Sequence, residues 1–226
     1  VFPATETAII AALEREVWPL VKTWEQHERE HAGRRHRFFV SRNVVVVCGG
    51  IGPVAARRAA EAAVALFRPL ALQSVGFAGA LVPGLAVGAV VVPARVIDAG
   101  DGSRTETAEG EGILLTCSEM ASIAEKARLF RAYGAHAVDM EAAAVAKAAA
   151  ARSVRFRALK AISDESDFAL PDMGSFVAAD GSFQAVRFSL FVALRPWWWW
   201  RVYRLAANSR KAAGALCERL REMHGL

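Results

Sequence analysis

Short apolar runs alternate with segments of helical period along most of the chain, and glycine or proline punctuates the joins. Thr7 to Leu13 (TAIIAAL) passes straight into Glu14-Arg15-Glu16-Val17-Trp18, which predicts a buried strand feeding a helix. Arg37 to Val40 and Val44 to Cys48 are β-rich runs around Ser41-Arg42-Asn43, a predicted hairpin. Gly49-Gly50-Ile51-Gly52-Pro53 then breaks the pattern before an Ala-rich helix running to about Phe67. Leu70 to Gly76 predicts another strand, Phe77-Ala78-Gly79-Ala80 a small-residue turn, and Val87 to Ile97 one long Val-rich strand. Residues 99–112 are polar and Gly-rich, a surface loop; Ile113 to Thr116 resumes a strand and Met120 to Tyr133 is helical. Ala135 to Asp139 leads into a helix from about Met140 to Arg152, and Arg155 to Ile162 is the last strand. Strands alternating with helices predict an α/β fold: a three-layer α/β/α sandwich around a central mixed sheet, one domain over residues 1–226. After Asp167 come a loop over 168–172, a polar stretch to Ser182, and two helices split by Arg195-Pro196.

With 226 residues, 54% hydrophobic and 23% charged, the chain can bury a sizeable core, which excludes intrinsic disorder. Cys48, Cys117 and Cys217 are too few for a disulfide framework and lack metal-ligand spacing, so a reducing cytoplasm is the expected compartment. Val1 to Glu6 lack the basic start and apolar run of an export signal. Charged residues interrupt every long apolar segment before the roughly 20 residues of a spanning helix are reached. The charge of +5 is concentrated: residues 187–226 carry eight Lys/Arg against two Asp/Glu. No zinc-finger, RRM or KH pattern accompanies it, so a nucleic-acid partner is not expected.

Glu16, Glu141 and Asp164 each follow a predicted strand, in apolar surroundings where a carboxylate is expensive. Strand ends of α/β sheets collect reacting groups, and the three could converge on one pocket. Each also has a plain structural reading: Glu16, Asp139 and Glu141 as acids in the first turn of a helix, Asp164 as a cap or solvated loop acid. Position alone leaves both open.

Five ordered motifs narrow the choice: Ala12-Leu13-Glu14-Arg15-Glu16-Val17, Gly50-Ile51-Gly52-Pro53-Val54-Ala55-Ala56, Gly76-Phe77-Ala78-Gly79-Ala80-Leu81, Val138-Asp139-Met140-Glu141-Ala142 and Ile162-Ser163-Asp164-Glu165-Ser166-Asp167. In order and spacing they resemble the nucleoside phosphorylase and nucleosidase superfamily over roughly residues 7–190, in particular the methylthioadenosine/S-adenosylhomocysteine nucleosidase branch. Taken with the tail after Pro171, the chain most resembles the hopanoid-associated nucleoside phosphorylases, linked to release of adenine from an adenosylated hopanoid lipid. The resemblance implies cleavage of a purine N-glycosidic bond, which needs a protonated leaving group and a stabilised ribosyl cation. It implies Asp164, beside Ser163, as general acid at purine N7, Met140 and Glu141 along the ribose, and Glu16 at the attacking water. Asp139 stands where the nucleosidases often carry Glu. No metal or organic cofactor is implied, and the expected assembly is a homodimer.

Two departures bear on the nucleophile. Ser74 occupies the place of the phosphorylases' Arg and Phe77 that of their hydroxyl, so hydrolysis is favoured over phosphorolysis; phosphate as co-substrate stays open through Arg57, Arg58 or a second subunit. The aromatic that stacks the base is absent near Ser118-Glu119-Met120, leaving Met120 or Phe168 for that contact. From Phe188 to Leu205, apolar bulk including Trp197 to Trp200 mixes with Arg187, Arg195, Arg201 and Arg204. Such a segment suits a membrane surface, a core or dimer helix, or the wall of a pocket for a long apolar substituent. A peripheral place at the inner membrane surface follows from the first. The alternative from another class is a non-catalytic fold that binds a nucleoside or lipid.

Overall fold

The computed structural model describes residues 5–169, 174–178 and 180–226; residues 170–172 of the loop after Asp167 lie outside these. In chain order the elements are β1 (Thr7–Ala11), α1 (Glu14–Val21), β2 (Glu25–His31), β3 (Arg34–Ser41), β4 (Val44–Cys48), α2 (Pro53–Phe67), β5 (Ala71–Ala80), β6 (Val90–Val91), β7 (Arg95–Asp98), β8 (Arg104–Glu106), β9 (Ile113–Thr116), α3 (Ile123–Tyr133), β10 (Ala137–Asp139), α4 (Ala142–Ala150), β11 (Arg155–Asp164), α5 (Ala185–Ala193) and α6 (Pro196–His224).

All the strands belong to one mixed sheet, ordered β2-β3-β4-β1-β5-β10-β9-β7-β8, with β11 parallel to β5 on its other side. β1 runs parallel to both β4 and β5, and β10 meets the far end of β5 antiparallel at Gly79 and Ala80. The period of two divides β1 between the faces. Ala8 and Ile10 pack with the alanines of α2 and α4, whereas Ile9 and Ala11 pack with Val17 and Leu20 of α1 and Leu216 and Leu220 of α6. The result is the expected α/β/α sandwich. The C-terminal half of α6 is thus one of its layers: Ala212, Ala213, Leu216, Cys217 and Leu220 are buried against α1 and the sheet.

Three local expectations are corrected, and one strand is added. Phe77-Ala78-Gly79-Ala80 is no turn but the end of β5, where Phe77 to Gly79 pair with β11 and Ala80 with β10. The long strand over 87–97 breaks into β6 and β7 around Pro93, whose missing N–H cannot extend a ladder. The 99–112 loop contains the short strand β8. β2, with the sequence EQHEREH, was not foreseen because it carries no apolar face; it is an exposed strand held to β3 by pairing from Glu25 to His31.

Candidate active site

β1 ends at Ala11, and the chain turns at once into α1, where Glu16 at the third helical position reaches back to the backbone. Its Oε2 accepts hydrogen bonds from the N–H groups of Ala12 (3.1 Å) and Leu13 (3.2 Å), two of the donors a helix start leaves unpaired. Gly76 of β5 makes room for this carboxylate, since a Cβ there would stand 3.0 Å from Oε2. Burial raises the Glu16 pKa; the two backbone N–H groups, Lys160 and Arg15 oppose it without cancelling it.

β10 delivers Asp139, Met140 and Glu141 to the start of α4. Asp139 is buried with both oxygens engaged: Oδ1 accepts from Thr116 Oγ1 at 2.6 Å and Oδ2 from the Ala142 N–H at 2.9 Å. Oδ2 also lies 2.8 Å from Lys160 Nζ, a buried ion pair whose angles fall short of a hydrogen bond. Glu141 Oε1 accepts from the Gly52 N–H at 2.8 Å, which ties the glycine turn before α2 to this carboxylate. Gly52 has a φ of 94°, a conformation that suits glycine. Burial pushes the Glu141 carboxyl up to about 7; Asp139 and Glu16 add to the rise, while Lys160 and the Gly52 N–H work against it. Burial alone would lower the Lys160 pKa, but Asp139, Glu141 and Glu16 outweigh it and hold the ammonium above its usual range.

β11 ends in Ser163-Asp164. Ser163 Oγ donates to Asp164 Oδ1 at 2.7 Å, and Lys126 Nζ of α3 lies 2.5 Å from Asp164 Oδ2. Lys126 and Asp164 are both almost wholly buried. A Cβ on Gly79 would stand 2.8 Å from Asp164 Oδ2 and 3.2 Å from Lys126 Cε, so this glycine leaves the space the pair fills.

These strand ends enclose a cavity of about 140 Å³ lined by Glu16, Glu141, Asp164, Asp139, Met140 and Ser163, with Phe77 and Met120 also on its wall. The sequence-derived candidates therefore converge, with one exception. Phe168 is buried beneath the Arg204 guanidinium, 5.2 Å from its ring centre, and is not among the residues lining the cavity. Arg57 and Arg58 face a separate surface hollow beside His31 and Glu61. Ser74 is wholly buried, its hydroxyl without a partner among the described residues.

Three cations at the cavity escaped the sequence reading: Arg15 on its wall, Lys126 on its wall and Lys160 behind Asp139. Lys160 did leave a signal. A lysine inside the apolar run Ala158-Leu159-Lys160-Ala161-Ile162 is costly unless paired. Lys126 left less, since it falls three residues from the buried Leu129 on a helix that otherwise alternates normally. Among the described residues no three His, Cys, Asp or Glu are placed to hold a metal ion.

A second hollow, about 770 Å³ and mainly apolar, adjoins the first and shares Arg15, Phe77, Leu205 and Ser209 with it. Trp18, Phe183, Phe188 and Val202 line its remainder. Beyond it, α5 and the N-terminal half of α6 expose Leu190, Leu194, Trp197, Trp199, Trp200 and Tyr203, while Trp198 turns inward with its ring edge-on to Phe191. No described helix is long and apolar enough to cross a membrane.

The sequence profile of the phosphorylase superfamily matches residues 6–123 and 111–187. No curated protein sequence matches. Among solved structures, the futalosine hydrolase of Helicobacter pylori superposes with a TM-score of 0.72 at 19% identity, covering 97% of each chain. The 5′-methylthioadenosine/S-adenosylhomocysteine nucleosidase of Campylobacter jejuni gives 0.68 at 19% identity, covering 96% of this chain and 99% of that one. The enzyme of that name from S. pneumoniae, solved with a transition-state inhibitor, gives 0.66 at 20% identity over 94% of this chain and 97% of the other. Likeness at this level of identity establishes the shared fold.

Proposed function

The chain belongs to the phosphorylase superfamily, and we propose that it hydrolyses the N-glycosidic bond of an adenine nucleoside. The observation that carries this reading is the convergence of Glu16, Glu141 and Asp164, from three separate strand ends, on one small cavity. Such a bond breaks through a ribosyl cation and an electron-rich purine, so carboxyl groups serve both sides of it. Asp164 faces purine N7 on the leaving side. Glu141, with Met140 beside it, accepts hydrogen bonds from the ribose hydroxyls, and these bonds strengthen as positive charge develops on the sugar. Glu16 orients the attacking water and takes its proton, a role that a buried carboxyl of raised pKa suits. Lys160 and Asp139 brace Glu141 and Glu16 from behind. Met120 and Phe77 supply apolar contact for the bound nucleoside.

Water is favoured over phosphate because the cavity is walled by carboxylates, while Arg57 and Arg58 lie at another hollow. Lys126 and Lys160 are each paired with an aspartate, which leaves Arg15, among the described residues, as the remaining cation on a wall that also carries Glu16, Glu141 and Asp164. A phosphate dianion would meet more repulsion than attraction there.

The finer reading of the substrate is a nucleoside with a bulky apolar 5′ substituent, of which an adenosylated hopanoid lipid is the one suggested by the sequence resemblance. The adjoining apolar hollow supports it, as do the exposed tryptophans and Arg195, Arg201 and Arg204 next to it, which suit a membrane surface. On this reading the protein works at the inner membrane surface, as a homodimer like that expected for its family. Purified protein incubated with methylthioadenosine, S-adenosylhomocysteine, adenosine and an adenosyl-lipid analogue, with and without phosphate, tests all of this. Adenine and the free sugar are expected without phosphate, the sugar being ribose from adenosine and the 5′-substituted ribose from the others, with release fastest from the lipid analogue. The corresponding 1-phosphate of the sugar would mean a phosphorylase, and no release from any substrate would favour a binding fold.

A further inference from the structure

A group that protonates a purine must have a proton to give, yet Asp164 stands in a buried ion pair. Its Oδ2 is 2.5 Å from Lys126 Nζ, its Oδ1 accepts from Ser163, and Lys126 donates a second bond to the Glu165 carbonyl at 2.7 Å. A carboxylate so held is an acceptor at every oxygen. The acidic proton nearest the leaving group is on the lysine, and nothing in the sequence motifs marks it. Lys126 of α3 meets the carboxylate oxygen that Ser163 does not, and Gly79 leaves room for the pair, since a Cβ there would stand 2.8 Å from Asp164 Oδ2 and 3.2 Å from Lys126 Cε.

We infer that Lys126 is the proton source for the departing purine, acting through Asp164. The inference rests on the proposed N-ribosyl cleavage. As the C1′–N9 bond breaks and its electron pair enters the ring, the proton shared by Lys126 and Asp164 moves fully to the carboxyl and on to N7, leaving Lys126 neutral. Water adds to C1′, its proton passes to Glu16 and then to solvent, and Lys126 takes a proton back from solvent. The sum is nucleoside plus water giving purine plus ribose. Lys126 is thus a positioning residue that also holds the proton, and a permanently charged guanidinium cannot replace it.

The test compares Lys126→Arg and Lys126→Met with the unaltered protein on two substrates: the adenine nucleoside it turns over fastest, and 4-nitrophenyl β-ribofuranoside, whose phenolate leaves without protonation. Loss of a proton donor costs roughly 10²- to 10⁴-fold. Both variants should lose kcat on the adenine nucleoside by that order, with the nitrophenyl substrate kept within about threefold. Lys126→Arg at near-normal kcat on the adenine nucleoside would overturn the inference. So would an equal fall on both substrates, which is the signature of a structural lysine. Failure of the unaltered protein to release adenine at all would instead remove the N-ribosyl reading beneath it, so the two failures are distinguishable.

Discussion

Replacing Glu141 by Gln should stabilise the protein while damaging its chemistry, and the stabilisation should depend on pH. The carboxyl is held at about 7 against an ordinary 4.5, chiefly because burial disfavours its charge. The folded state therefore binds this proton more tightly than the unfolded chain does. That advantage is complete below about pH 4.5 and is lost as pH rises through 7, so near pH 8 the folded protein carries a cost of roughly 3 kcal/mol for ionising this one group. Glutamine keeps an oxygen for the Gly52 N–H and carries no charge. Thermal unfolding of the pair at about pH 4 and about pH 8 should show little difference at the lower value and a midpoint some 6 to 12 °C higher for the variant at the upper one. Turnover should fall roughly 10- to 100-fold, as expected when a charge-assisted hydrogen bond worth about 1.5–3 kcal/mol becomes neutral. A stability difference that stays constant with pH, or shrinks as pH rises, would refute the argument that Glu141 is strained by its ionisation.

Asp164→Asn should lower turnover by roughly 10²- to 10⁴-fold; titration calorimetry should show that a nucleoside still binds, as it would not if the carboxylate were needed only to hold the ligand. Gly79→Ala should reduce turnover by about tenfold or more, because its Cβ would stand 2.8 Å from Asp164 Oδ2 and must displace the carboxylate or Lys126; circular dichroism should confirm that the fold survives. Trp197→Ala, Trp199→Ala and Trp200→Ala together should abolish co-sedimentation with anionic liposomes and leave hydrolysis of a short soluble nucleoside within about twofold, since these three rings are exposed and outside the cavity.

The sheet and its helices were legible because each buried strand is an apolar run and each covering helix has a consistent face, as in Val44 to Cys48 and Pro53 to Phe67. Failures came where a physical cue is absent or ambiguous. β2 is polar on both sides, and Phe77-Ala78-Gly79-Ala80 looks like a turn because its glycine serves a different end, admitting the side chains of Asp164 and Lys126 beside a strand. The carboxylates that line the cavity stood out in the sequence because a charge next to an apolar strand must be explained. Their lysine partners were found only in three dimensions: Lys126 and Asp164 are far apart along the chain, and no local pattern links a helix position to a distant strand end. Of the two side chains expected to take the base contact, Met120 lines the cavity, while the Phe168 ring lies against Arg204 of another helix.

The two coats of the sheet differ in the grain of their side chains. On one face, α2 and α4 pack largely through alanines: Ala56, Ala59, Ala60, Ala62 and Ala63 from the first, Ala144, Ala148 and Ala149 from the second, with a Cβ on Gly49 only 2.7 Å from that of Ala59. On the other, the contact is made by Leu20, Val21, Leu216 and Leu220. Alanine scanning would therefore register little in the first layer beyond Phe67 and Val145, and at the alanines any change but glycine is an enlargement. The second layer would register truncation at about 2–5 kcal/mol for each leucine yet accept swaps of similar volume. Tolerance to substitution should accordingly be lopsided: one side of the sheet can exchange large residues among themselves, and the other is held to small side chains because its helices have little separation left to give.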